Sequence, residues 1–430
     1  MALVAALHAL LSAGAYHTAF ALWGVQSFHY LFLDLDGPLA ARDCVRLGFD
    51  VYVFNPCDVI DRVHNYSPLW LAFPDLPPHQ DDRLPLGLAI DIAFFAGLAL
   101  LPPARTRSEL GLRVAAVLST AVAYATERAN VDVPIFLFVL AMLAALHGAF
   151  ALRVVGYALA LLAAALKYYP ATLLLIALRE RTLRLLMVGG GAGAAAIVFL
   201  LAYGHDIRRS LPNIPGGLGF ADMFGAADLR FDTEMTLKTV GASPGLHAVL
   251  PFAVLAAAFA VAGAFGLRLW RRGNWPAALA GLDEGRRDAL AAGALLGVGC
   301  FLAGQNLDYR SIFLLLALPG LCALGRNPRL GRIAPVRHAA ALTVLLLWEQ
   351  AIRYDLDSLC TALGWSKATR AGLLLLVWVA RETGFWLLMT VLAVILAAFI
   401  AGTPAWAMPG HLRLRQAPPA PETTPQTARN

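Results

Sequence analysis

The stretch KYYPATLLLIALRERTLR, residues 167–184, begins with a lysine and ends in an arginine-rich connector. Lys167 to Arg179 spans 12 residues, and Arg153 to Lys167 before it spans 14, which is about 18 and 21 Å of helix at 1.5 Å per residue. Neither length crosses a hydrocarbon core of ~30 Å without local thinning or a recessed turn. Because a charge at such depth requires water or a partner, the stretch predicts a cavity beside Lys167 on the outer side of a membrane.

The whole chain has the composition of a membrane protein. Of its 430 residues, 59% are hydrophobic and 14% charged, whereas charged residues make up about 25% of an ordinary soluble protein. The net charge of +6 comes from arginines in short connectors between apolar runs, which report membrane orientation rather than nucleic-acid binding. We therefore predict an all-α polytopic membrane protein with no nucleic-acid partner.

Apolar runs and the arginines between them predict the topology. The runs lie at 3–32, 84–103, 110–126, 133–152, 154–166, 169–178, 183–203, 246–267, 289–305, 311–325, 336–353 and 383–402. Connectors such as 105–107, 179–184, 268–272 and 326–332 carry the arginines, and this bias makes their side cytoplasmic. About twelve spans and two cytoplasmic termini in the inner (plasma) membrane follow. The first run is expected to remain as a transmembrane helix because it is too long for a signal-peptide core.

The predicted membrane domain covers residues 1–407. Three extracytoplasmic segments are expected at about 34–83, 204–245 and 354–370. The Pro/Thr-rich tail, 408–430, has the composition of a disordered cytoplasmic segment.

The cysteines are too few and too scattered for a disulfide scaffold or a metal cluster. They are Cys44, Cys57, Cys300, Cys322 and Cys360. The first two share one predicted extracytoplasmic segment and are able to pair, although spacing alone does not establish the geometry that a disulfide requires.

Unusual polar side chains gather on the predicted outer side. Asp34 and Asp36 follow the first apolar run, and Lys167 lies in the recessed turn. The other candidates on this side are Tyr66, Glu127, Arg128, Asn130, Asp308, Tyr309 and Arg310. Carboxylates and bases collected at membrane depth indicate chemistry on a lipid-linked anion.

Each of these features also has a simpler interpretation. Asp34 and Asp36 would merely end a helix and face solvent, Lys167 would snorkel to the membrane surface, and Glu127 and Arg128 would form a local ion pair. The two aspartates share a face if their segment is extended and diverge if it is helical. Their D-x-D spacing is also the metal-binding pattern of nucleotide-sugar enzymes, but nucleotide sugars are cytoplasmic and this segment is predicted outside.

Short motifs follow one another in a recognisable order. They are Asp34, RLGFDVY (46–52), HNYSPLW (64–70), ERANVDVPIFLF (127–138), KYYP (167–170) and NLDYRSIFLLLALPGL (306–321). With the order of apolar runs, they resemble the GT-C superfamily of polytopic glycosyltransferases, in particular the mannosyltransferase-like bacterial branch that uses polyprenyl-phosphate sugars. Ser67 stands where that family usually has proline.

The resemblance implies a GT-C-like bundle that transfers a sugar, with inversion, from a polyprenyl phosphate to an acceptor hydroxyl. It makes Asp34 the catalytic aspartate, with Asp36 as second choice, and assigns the donor phosphate to Lys167 and Arg310. The expected lining of the sugar or acceptor pocket is Tyr66, Glu127, Arg128, Asn130, Asp308 and Tyr309. No metal or other cofactor is implied, and a divalent metal is not excluded.

The expected partners are a polyprenyl-phosphate sugar donor, a glycan or lipid acceptor and membrane lipid. Two other classes remain open. A secondary transporter would show inverted repeats and interrupted helices in corresponding halves, and a non-catalytic assembly protein would keep the fold alone. No internal repeat is evident in the sequence, and the polar residues favour one face of the membrane over its midplane.

Overall fold

A computed structural model describes residues 13–214, 223–328 and 330–404. It is 77% helical with almost no strand. The α-helices are α1 (Ala13–Leu22), α2 (Leu33–Arg46), α3 (Arg83–Gly97), α4 (Arg107–Val117), α5 (Thr120–Glu127), α6 (Asp132–Leu146), α7 (Phe150–Leu166), α8 (Thr182–Ser210), α9 (Ala226–Thr239), α10 (Pro244–Arg272), α11 (Trp275–Ala280), α12 (Glu284–Ala303), α13 (Leu314–Gly325), α14 (Ala334–Leu347), α15 (Glu349–Ala362) and α16 (Lys367–Ala401). Short 3₁₀ segments cover Pro68–Leu71, Gln80–Asp82, Leu98–Leu100, Tyr169–Arg179, Leu211–Asn213, Asp308–Phe313 and Leu330–Arg332.

Several helices have the length and composition of membrane spans. In the described ranges five segments qualify: Gln80–Leu100, Thr182–Asn213, Pro244–Arg272, Asp308–Gly325 and Lys367–Ala401. The pair α5 and α6, bent by 108° at their junction, makes a sixth if it is counted as one span. An all-α membrane protein is thus confirmed, whereas twelve spans are not. Other predicted runs form helices shorter than a bilayer, such as α7 and α14.

The N-terminal region differs from the predicted single helix over 3–32. Residues 1–12 lie outside the described residues, α1 ends at Leu22, and Phe32 adopts a left-handed conformation before α2 begins. Asp34 and Asp36 therefore lie in the first turn of a helix rather than in a loop. Acidic side chains are favoured there because the first turn carries the positive end of the helix dipole.

The two later predicted outer segments also contain helix. Segment 204–245 holds the end of α8 and all of α9. Segment 354–370 consists mostly of α15 and the start of α16, so the last apolar helix begins at Lys367, 16 residues before the predicted run. The predicted disordered tail, 408–430, lies outside the described residues.

A two-residue strand pair ties segment 204–245 to the turn after α12. Strand β1 (Met223–Phe224) pairs antiparallel with β2 (Asn306–Leu307). A Cβ at Gly225 would lie 2.1 Å from the carbonyl oxygen of Gly304, so only glycine allows this approach. The pairing fixes the 3₁₀ segment that carries Asp308 and Arg310.

The first of the predicted outer segments is closed by a disulfide. Cys44, in α2, is bonded to Cys57, and their Cα atoms are 5.7 Å apart. The sequence left this disulfide open, and the structure contains it. Cys44 packs in a small buried cluster with Ala41 and Val51. The covalent link therefore holds the chain after Gly48 against the helix that carries Asp34.

We expect the double variant Cys44→Ser, Cys57→Ser to unfold about 2–3 kcal/mol more easily, because the link closes a loop of 13 residues. Thermal unfolding in detergent, followed by circular dichroism with and without reductant, measures the effect. The matched control is Cys300→Ser, at a buried free thiol, whose unfolding should not respond to reductant. Equal reductant sensitivity in the wild type and the double variant would contradict the prediction.

Candidate functional site

Backbone contacts between the end of α5 and the start of α2 place Asp34. The amides of Asp34 and Leu35 donate to the carbonyl of Arg128, at 3.2 and 3.3 Å, and the amide of Phe32 donates to that of Glu127 at 3.1 Å. Free carbonyls at a helix C-terminus and free amides at a helix N-terminus both require partners. Here each helix end satisfies the other.

The Asp34 carboxylate is 7% exposed and has three side-chain neighbours. Asn130 donates its amide to Oδ2 at 2.6 Å. Arg62 and Arg128 approach Oδ1 with guanidinium nitrogens at 3.4 and 3.5 Å. These three side chains hold the carboxylate in place by charge and hydrogen bonding.

Asn130 joins this carboxylate to the lysine of the recessed turn. While its amide nitrogen binds Asp34, its carbonyl oxygen accepts from Lys167 Nζ at 3.1 Å and from the amide of Asp132 at 3.0 Å. Asn130 follows Ala129, which is left-handed with φ 42°, at the bend between α5 and α6. The broken helix is what turns this side chain toward two charged partners at once.

Asp132 is the anion on which the predicted phosphate-binding cations converge. Its Oδ1 accepts from Lys167 Nζ at 2.6 Å and from the Tyr169 hydroxyl at 2.6 Å. Its Oδ2 lies 3.6 Å from Arg310 Nε. Arg310 in turn donates from Nη1 to Asn306 Oδ1 at 2.6 Å. Lys167 and Arg310 are thus brought to a single carboxylate.

Aromatic rings line the two cations. Lys167 Nζ lies 5.8 and 5.6 Å from the ring centroids of Tyr66 and Tyr309, and Arg310 Cζ lies 5.5 Å from that of Tyr169. Such contacts stabilise partly desolvated cations. Burial, reinforced by the Asp34 carboxylate, raises the pKa of Tyr66, so its hydroxyl remains a hydrogen-bond donor.

Three predicted site residues point elsewhere. Asp36 is fully buried and accepts from Gln80 at 3.0 Å and Arg83 at 2.8 Å, so it anchors the start of α3. Residues 34 and 36 diverge because their segment is helical.

Glu127 and Asp308 are also turned away from the Asp34 carboxylate. Glu127 accepts from the Tyr16 hydroxyl at 3.2 Å and pairs with Arg128 at 3.0 Å. Asp308 binds the Gln350 amide and lies 3.6 Å from Arg381. Of the pocket candidates, Tyr66, Arg128, Asn130 and Tyr309 are the ones that lie beside Asp34 or Lys167.

Sequence reasoning did not select Asp132, Arg62 or Tyr169 for the site. Asp132 and Tyr169 stand two residues from the selected Asn130 and Lys167, and that proximity was the available signal. Arg62 lies in an irregular stretch, and its role depends on Asp58, which receives its Nε and Nη2 at 3.0 and 2.9 Å. The contact of Arg62 with Asp34 joins residues 28 positions apart, and no local sequence pattern reveals it.

The arrangement combines the Asp34 carboxylate with two cations, Lys167 and Arg310, that contact a second carboxylate, Asp132. The site cations are Arg62, Arg128, Lys167 and Arg310, and the anions in contact with them are Asp34, Asp58, Glu127 and Asp132. Such a network is able to accept a proton at Asp34 and to bind an anion near Lys167 and Arg310. In the described residues, no group of three His, Cys, Asp or Glu side chains is arranged to hold a metal ion.

We expect Asp132→Ala to lower the free energy of unfolding by about 3–5 kcal/mol, because it leaves the buried Lys167 and the half-buried Arg310 without their counter-ion. Unfolding in detergent measures the loss. The control Asp50→Ala removes an aspartate that is half exposed and paired at the surface with Arg209, and should change stability by less than about 1 kcal/mol. Equal effects of the two substitutions would show that Asp132 is not the anchor of the cations.

No protein-family model, no curated protein and no solved structure matches the chain.

Proposed function

We propose that the protein is a membrane glycosyltransferase that moves a sugar from a polyprenyl phosphate to an acceptor hydroxyl on the extracytoplasmic face, with inversion. The observation that carries the proposal is the continuous contact from Asp34 through Asn130 to Lys167, at 2.6 and 3.1 Å. This contact connects two groups: the Asp34 carboxylate, which is suited to act as a base, and the cations Lys167 and Arg310, which are suited to bind a phosphate. The motif order described above supplies the reaction type.

Asp34 is the proposed general base. The acceptor oxygen attacks the anomeric carbon of the sugar, its proton passes to the Asp34 carboxylate, and the bond from the anomeric carbon to the phosphate oxygen breaks. Arg62, Arg128 and Asn130 hold the carboxylate in place. A base fixed in this way needs only a hydroxyl within hydrogen-bond reach to take part in the transition state.

Lys167 and Arg310 are the proposed phosphate ligands. Negative charge develops on the leaving phosphate as the bond breaks, and fixed cations stabilise that charge without reorganising. The ammonium supplies a point charge, and the guanidinium supplies a planar fork. Both groups are oriented before substrate arrives, by Asp132 and Asn306.

An apolar groove near this network would accept part of the lipid chain. It has a volume of about 580 Å³ and lies between α10, α12 and α16, with Phe301 and Trp386 among its lining residues. Its lining is almost entirely apolar, which suits a polyprenyl chain. The neighbouring Cys300 carbonyl accepts from Asn306, the same side chain that receives Arg310.

The variant Asp34→Asn should lose about 10²–10⁴-fold in kcat, the usual contribution of a general base, while its folding is retained. Transfer from radiolabelled polyprenyl-phosphate mannose to a bacterial lipid extract, measured per folded protein, tests this. Asp36→Asn is the matched control, since Asp36 stands in the same helical turn but binds Gln80 and Arg83. Loss of transfer in Asp36→Asn with normal transfer in Asp34→Asn would reverse the assignment.

The variant Arg310→Ala should raise the KM for the polyprenyl-phosphate donor and lower kcat, because the phosphate loses a ligand both when bound and in the transition state. Steady-state kinetics over a range of donor concentrations measures both parameters. Arg310→Lys should recover only part of the loss, since an ammonium cannot reproduce a fork. Unchanged donor kinetics in Arg310→Ala would remove this residue from the donor site.

One observation favours a second candidate, a secondary transporter. Arg381 and Glu382 interrupt the apolar helix α16 at buried positions, and charges inside membrane helices commonly line substrate or ion pathways. Uptake by proteoliposomes that contain no polyprenyl phosphate distinguishes the two functions. A glycosyltransferase requires the lipid donor, whereas a transporter does not.

A further inference from the structure

A second charged cluster, which we call the Arg381 cluster, is reached through Asp308. Arg381 lies in α16 between the apolar segments 371–380 and 383–401. Its guanidinium lies 3.2 Å from Glu349 and 3.6 Å from Asp308. Gln350 donates its amide to both of these carboxylates. None of these contacts involves the Asp34 network.

Carboxyl groups in the Arg381 cluster outnumber the buried cations. Five are at most 6% exposed and lie close enough to interact electrostatically: Asp228, Asp232, Asp308, Glu349 and Glu382. The comparably buried cation among them is Arg381. Arg353 is more exposed and donates to Gln350 at 2.9 Å. Burial penalises the charged form of a carboxyl group unless a cation or a hydrogen-bond donor compensates it, so the partners of each carboxyl group decide its state.

Glu382 is the carboxyl group of this cluster that most evidently lacks hydrogen-bond donors. It is 3% exposed, and neither of its carboxyl oxygens accepts a hydrogen bond in the described structure. Asp308 and Glu349 differ, because each accepts from Gln350. A buried ionised carboxylate without a donor is strongly disfavoured, whereas the neutral acid is tolerated.

The carboxyl groups around Glu382 further disfavour its charged form. Asp228 and Asp232 of α9 and Asp308 of the 3₁₀ segment lie within electrostatic range of Glu382. Burial raises the pKa of Asp228 to about 7 despite the opposing charge of Arg381. Burial also raises the pKa of Glu349, although Arg381 opposes this. The α9 and α15 sides of the cluster therefore also favour neutral acids.

We propose that Glu382, together with Asp228, forms a proton-binding site in the membrane part of the protein. A proton neutralises a single carboxyl group and needs no set of converging ligands, which matches the two Glu382 oxygens that accept no hydrogen bond. The site lies beside the proposed transfer centre without belonging to it: Asp308 contacts the Arg381 cluster, and Arg310, two residues later, contacts Asp132. Charge taken up at Glu382 thus acts on the same 3₁₀ segment that positions Arg310.

Infrared difference spectroscopy on the full-length protein in lipid nanodiscs tests the proposal directly. The wild type should show the carbonyl stretch of protonated carboxyl groups at neutral pH, and the Glu382→Gln variant should lose the part of this band that comes from Glu382. Raising the pH should convert the band to that of a carboxylate. Absence of the protonated band from the wild type at every pH between about 5 and 9 would overturn the proposal.

Glu109→Gln is the matched control. Glu109 is 1% exposed but ion-paired with Arg286 at 2.7 Å and Arg326 at 2.8 Å, so its replacement should leave the protonated band unchanged. Adding Mg²⁺, Ca²⁺ or Mn²⁺ at fixed pH should also leave the band unchanged. Its loss on addition of one of these ions would identify a metal site and overturn the proton site.

A second measurement does not require the variant to fold. Dicyclohexylcarbodiimide adds to protonated carboxyl groups in membranes, and mass spectrometry of wild-type peptides locates the added reagent. Labelling should map to Glu382 or Asp228, and should fall about tenfold for each pH unit above the pKa of the group. Labelling that maps only to other carboxyl groups would contradict the proposal. Neither measurement depends on glycosyl transfer, so this proposal and the proposed function can fail separately.

Discussion

The meeting of two helix ends is the constraint on which the Asp34 network depends. Because α5 stops at Glu127 and the chain bends by 108°, its last carbonyls remain free to receive the first amides of α2. The negative end of one helix dipole thereby faces the positive end of another, a favourable alignment. The same break releases Asn130 and Asp132 from a continuous helix and directs them to Asp34 and Lys167.

Charge balance explains why so many ionic groups are tolerated in an apolar protein. Around Asp34 and Asp132, each cation contacts at least one carboxylate, and the hydrogen bonds continue from one group to the next. The Arg381 cluster lacks this balance, since one buried guanidinium faces several carboxyl groups. The Asp34 network and the Arg381 cluster, which are joined by the 3₁₀ segment Asp308–Phe313, thus offset the cost of burying charge in different ways. The Asp34 network pairs its ions, and the Arg381 cluster, in our proposal, binds protons.

The sequence predicted the helical membrane class and the lysine turn because composition and spacing encode both directly. It also placed Asn130 with Asp34 and Lys167 through the order of motifs. It failed where structure depends on distant contacts. The break between α4 and α5, inside the predicted run 110–126, and the role of Arg62 follow from tertiary packing. The predicted run 383–402 omitted the first part of α16 because Arg381 and Glu382 interrupt its apolar sequence. The divergence of Asp34 and Asp36 needed only the knowledge that α2 starts before them.

Asp132 has a further consequence for turnover in the proposed reaction. Since this carboxylate already pairs with both Lys167 and Arg310, an arriving lipid phosphate would meet cations that are partly neutralised instead of bare. The gain in binding energy is correspondingly smaller, and the spent carrier lipid would face an internal competitor for the same cations. A resident anion of this kind weakens product retention, so the protein would trade affinity for rapid release of its carrier.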